Sequence, residues 1–89
     1  MIDSIYKFQY VPLDGSETLV RYIDLDQIVA VGMFVDEMII GVQIDCKQRD
    51  APLVIEIIAA PALRNLEIAK VHSEMNKLVD AWSTYKERT

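Results

Sequence analysis

The chain has 89 residues, 52% of them hydrophobic, a mean hydropathy of +0.16, a net charge of −5 and an isoelectric point near 4.6. An acidic surface repels a polyanion, which argues against phosphate-backbone binding, and no nucleic-acid partner is expected. A single domain of this length buries only about 60 to 65% of the surface of its unfolded chain, and so high an apolar load then points to subunits that share surface.

One cysteine, Cys46, cannot close an internal disulfide and reads as a free thiol at a strand end. Met1 to Lys7 carries no basic leader followed by an apolar core. No apolar run approaches the roughly 18 residues of a membrane span. The expectation is a cytoplasmic protein, one domain over residues 1–89, without a membrane partner.

IYKFQYV (Ile5 to Val11) sets Tyr6, Phe8 and Tyr10 on one side and Lys7 and Gln9 on the other, the period-two signature of a half-buried strand. Pro12, Asp14 and Gly15 supply the fixed φ, the Asx-type hydrogen bonding and the positive-φ tolerance of a turn. LVRYIDL (Leu19 to Leu25), IVAVGMFV (Ile28 to Val35), MIIGVQID (Met38 to Asp45) and LVIEII (Leu53 to Ile58) are the next four strands, with Asp36-Glu37 as a tight link. The third is apolar on both faces, as in a central strand or one whose second face meets another subunit. Gln43, Asp45 and Glu56 mark a half-solvated face on the fourth and fifth.

From Ala62, just after Pro61, to about Arg88 the chain lacks Gly and Pro and reads as one long helix. Ile68, Val71, Met75, Leu78, Trp82 and Tyr85 recur at alternating spacings of three and four, an a/d seam flanked by His72 and Val79. The seam is too short for a free-standing coiled coil, so the helix lies on a sheet or pairs with a second helix. At ~1.5 Å per residue it runs roughly 40 Å, and its last turns, with Trp82 and Tyr85, are expected to overhang the sheet. Val71, Met75, Leu78, Trp82 and Tyr85 are therefore the expected interface of a homo-oligomer. His72 reads as a partly buried packing residue.

Five strands followed by one helix make an α+β fold, a five-stranded antiparallel β-meander with a long C-terminal helix, in pleckstrin-homology-like order. LDG at Leu13 to Gly15, followed by YIDLDQIVAV at Tyr22 to Val31, resembles the small flagellar FlbD-like family and similar short bacterial and phage proteins. In those a turn of type L-[DN]-G precedes a strand reading Y-[IL]-N-x-D-x-I. The resemblance covers about the first third of the chain; Asp24 stands where that pattern prefers Asn, and Leu25 replaces a frequent Pro. It implies a small, non-enzymatic, β-rich regulatory or accessory protein and carries over no catalytic residue.

Asp24 and Asp26 share a face if the strand continues through them, which allows a shared cation, but two carboxylates are a poor cage for an ion that takes six to eight oxygens. The alternative is a corner: Leu25 anchors it inward while Asp26 hydrogen-bonds local amides as the chain turns through Gln27. The corner is the expected reading, with no metal. No Gly-rich phosphate loop, CxxC or HExxH occurs, and Ser73 and Glu74 point away from His72, so no catalytic residue and no cofactor is expected.

Two function classes remain. One is a homo-oligomeric accessory protein, an adaptor or inhibitor of a protein partner. The other is a phage-type sequestering protein in which Lys47, Gln48 and Arg49, the nearest thing to a basic cluster, hold an anionic small molecule in a pocket at an oligomer interface. Those cations otherwise only solvate a hairpin tip.

Overall fold

The computed structural model of the protein describes residues 4–88. Strand β1 (Ile5–Tyr10) buries Phe8 and Tyr10 while Lys7 and Gln9 stay exposed, and it pairs antiparallel with β2 (Leu19–Asp24). Between them Gly15 takes φ 82°, the left-handed conformation that glycine adopts without a Cβ clash, and its N–H donates to Pro12 O at 3.2 Å. Asp14 accepts from Ser16 N at 2.9 Å. The Ser16 hydroxyl and amide together hold its carboxyl below the usual carboxylate range.

Strand pairing stops at Asp24. A 3-10 turn, Leu25–Gln27, carries the chain out of the hairpin into a second antiparallel sheet of β3 (Ile28–Val35), β4 (Ile39–Cys46) and β5 (Leu53–Ile58). The five strands thus form two sheets, one of two strands and one of three. The order β3-β4-β5 makes β4 the central strand, and it buries Ile40, Val42 and Ile44 completely. Strand β3, apolar on both faces, is an edge strand and not the central one.

A second 3-10 turn, Pro61–Leu63, leads into helix α1 (Arg64–Arg88). The Arg64 guanidinium caps the β3–β4 hairpin, donating to Asp36 O at 2.5 Å and to Glu37 O. Val71 and Leu78 are wholly buried against Phe8 and Tyr10 of the hairpin and the β4 and β5 isoleucines, so one core joins both sheets and the helix.

Twenty-five residues at ~1.5 Å each give a helix of about 38 Å. The longest dimension of the molecule is 43 Å, so α1 runs almost its full length. Trp82 and Tyr85 do not overhang. Both are half-buried on the core, and the Tyr85 hydroxyl donates to Asp26 Oδ1 at 3.3 Å, fixing the last turns of the helix to the corner after β2. Loss of water contact and the Asp26 charge beside it raise the Tyr85 pKa. His72, expected to pack, is exposed, with a ring nitrogen 3.3 Å from Asn76 Nδ2 on the next turn. Among the described residues no helix is long and apolar enough to cross a membrane.

Candidate functional site

The corner after β2 is built by Asp24. Its side chain caps the 3-10 turn, accepting from Asp26 N at 3.0 Å, while Leu25 is buried as the inward anchor. The division of labour is the reverse of the expected one: Asp24 takes the local amide and Asp26 takes the Tyr85 hydroxyl. Removing an Asp cap costs about 1 kcal/mol, and Asn caps as well as Asp. Asp24→Ala should therefore lower unfolding stability in urea by about that amount, while Asp24→Asn should match the wild type within the error of the titration.

The turn between β4 and β5 comes to lie beside this corner. Lys47 N donates to Gln27 O at 2.9 Å, and Arg49 N closes the turn on Cys46 O at 3.4 Å. These two backbone bonds hold a surface cleft of about 430 Å³ lined by Tyr22, Ile23, Asp24, Gln27, Cys46, Gln48, Arg49 and Leu53. Of the three expected ligand-binding residues, Gln48 and Arg49 line it. Lys47 does not, and its role here is the backbone tie. The free thiol of Cys46 is half-buried at the end of β4 and lies in the cleft wall.

The expected interface residues divide in two. Val71 and Leu78 are fully buried inside the chain's own core and present no surface, while Met75, Trp82 and Tyr85 lie half-buried against it. A seam of this spacing serves a sheet beneath it as readily as a partner helix, and here the sheet has taken it.

Glu67 escaped the sequence reading and is the one charged or polar side chain buried among the described residues. Its carboxyl group accepts from the Tyr10 hydroxyl and from Leu13 N at 3.3 Å, which fastens the loop after β1 to the first turn of α1. Proximity to the helix N-terminus favours negative charge there. Lys70, one turn away in sequence space along the same helix, donates to Val11 O and sets its ammonium 5.0 Å from the centre of the Tyr10 ring. Burial, followed by the hydrogen bond to Glu67, pushes the Tyr10 phenol well above its ordinary pKa. The available signal was position: Glu67 stands four residues before Val71, on the buried face of the helix.

No group of three or more metal-ligating side chains occurs among the described residues. Comparison of the chain with protein-family models, with characterised proteins and with solved structures finds no match.

Proposed function

We propose that the protein is a small non-enzymatic accessory protein that acts as a homo-oligomer, with β3 as the strand through which copies pair. The observation that carries this reading is the edge of the three-stranded sheet. Eight consecutive residues, Ile28–Val35, include no charged side chain and no proline, and no strand lies beyond them among the described residues. Other edges are blunted by outward charges: Lys7 on β1, Arg21 on β2 and Glu56 on β5 are all exposed. Soluble proteins guard sheet edges with such charges, and an unguarded apolar edge is a template for another strand. A strand that meets its own copy across a two-fold axis sets each residue near the axis against its like, which disfavours charge there, and among the described edge strands β3 is the one without a charged residue.

Packing on the outer face of the same sheet agrees. Phe34 lies over Gly41 of the neighbouring strand, so closely that a Cβ on Gly41 would sit 2.2 Å from the ring. Phe34 still keeps 38% of its surface exposed, and Val54 and Ile58 stay exposed on the same face. Pairing through β3 would extend this face into a continuous six-stranded sheet, on which a protein partner could then dock. A non-enzymatic accessory role is also what the resemblance to FlbD-like proteins implies.

Gly32→Lys tests it. A Cβ at Gly32 meets nothing within 4 Å, so the side chain fits the folded subunit, and stability should change by no more than about 0.5 kcal/mol. Two lysines facing each other near the axis should convert the oligomer seen by light scattering into a folded monomer. A wild type that is already monomeric at about 100 μM, well above the micromolar dissociation constant of ~8 kcal/mol of association, would refute the reading.

A further inference from the structure

We propose that the cleft between the corner after β2 and the β4–β5 turn binds a small planar heteroaromatic molecule that carries an anionic group, the chemistry of a nucleoside monophosphate. The volume, about 430 Å³, lies within the range of roughly 300 to 1,000 Å³ typical of small-molecule sites. Its walls are of two kinds. Leu53 and Cys46, both half-buried, give an apolar wall, and Tyr22, the most exposed large hydrophobic side chain described, stands at the rim with 68% of its surface open. An aromatic ring with two thirds of its surface open, beside an apolar wall, suits a flat ring, because stacking holds any base by its π-surface.

The polar groups converge from the two sides. Arg49 spends only Nε on the protein, donating to Ala51 O at 3.4 Å. The rest of its planar fork has no protein partner among the described residues, and that fork is suited to two oxygens of a phosphate. Asp24 uses one oxygen on Asp26 N at 3.0 Å and keeps the other for a ring N–H or amino group. Gln27 and Gln48 add side-chain amides that donate and accept. Opposite charges at Asp24 and Arg49 give the ligand a direction, since the carboxylate repels the anionic end and leaves it to the guanidinium. A bare phosphate gains nothing from Tyr22 or the apolar wall, and a neutral ring leaves the charge of Arg49 unmatched. The two backbone ties, Lys47 N to Gln27 O and Arg49 N to Cys46 O, hold both walls without a ligand, so little ordering remains to oppose binding.

Calorimetric titration of the full chain with AMP, GMP, CMP and UMP, with the four nucleosides and with inorganic phosphate tests the assignment. At least one nucleotide should bind with a dissociation constant below ~1 mM and more tightly than its nucleoside or phosphate. Arg49→Ala should weaken that nucleotide tenfold or more, down to the affinity of its nucleoside, and Arg49→Lys should fall between. Tyr22→Ala should weaken nucleotide and nucleoside alike. Each variant trims a surface side chain, and its circular dichroism spectrum should match that of the wild type. Absence of binding by all four nucleotides at ~1 mM, affinity indifferent to both Arg49→Ala and Tyr22→Ala, or phosphate bound as tightly as any nucleotide would overturn the proposal.

Discussion

Tyr10→Phe should destabilise the protein by about 3 kcal/mol, within the range for removing one partner of a buried polar pair. The phenol and the Glu67 carboxyl group are both almost without solvent contact, so no water replaces the lost hydroxyl. Glu67 would keep only the 3.3 Å contact from Leu13 N, and the loop after β1 would lose its firmest hold on the helix. Urea unfolding of the variant measures the loss directly, and a change below about 1 kcal/mol, the net worth of an ordinary hydrogen bond, would contradict the arrangement.

The same pair predicts how stability responds to alkali. Burial raises the Tyr10 pKa in the folded chain above its unfolded value of 10.0, so the folded state holds this proton more tightly than the unfolded state. The contribution is fully present below about pH 10 and is lost as pH rises beyond it, because the unfolded phenol ionises first. In a spectrophotometric titration the tyrosinate signal of Tyr10 should therefore appear together with unfolding, and Tyr10→Phe should flatten the alkaline limb.

The second large effect is expected at Leu78. Leu78→Asp places a charge at a position with no solvent contact, between the helix and the strands of both sheets, and should cost more than about 4 kcal/mol, the range reserved for an unpaired buried charge. A domain of this size has little more than that to lose. The variant should then be unfolded, not a folded monomer, which separates a core residue from an interface residue. Leu66→Asp, on the exposed side of the same helix, should leave the melting temperature nearly unchanged.

Much of the fold was legible because its signals are local. Alternation in Tyr6, Phe8 and Tyr10, the Pro12 to Gly15 turn and the Gly- and Pro-free run after Pro61 placed every strand and the helix within two residues of their observed ends. Pairing order was not legible. An edge strand with two apolar faces has the same pattern as a central one, and what decides between them is the capped corner at Asp24, which ends the first ladder and starts a second sheet. The seam of α1 was visible, but its spacing does not tell a sheet from a partner helix. Glu67 was hidden because its partner Tyr10 lies 57 residues away, beyond the reach of any pattern. For the cleft, the sequence held the pieces, Asp24 at the corner and Gln48 and Arg49 in the turn. The Ile28–Cys46 pair of the β3–β4 ladder and the backbone bond from Lys47 to Gln27 beside it bring them to one place, which no local pattern announces.

Pairing through β3 is tested most directly by isotope-filtered nuclear Overhauser spectroscopy on an equimolar mixture of labelled and unlabelled protein. Intermolecular contacts should join β3 of one copy to β3 of the other, around Val31, Gly32 and Met33, and should vanish in Gly32→Lys. Intermolecular contacts confined to α1, or none at a concentration of about 100 μM, would contradict it.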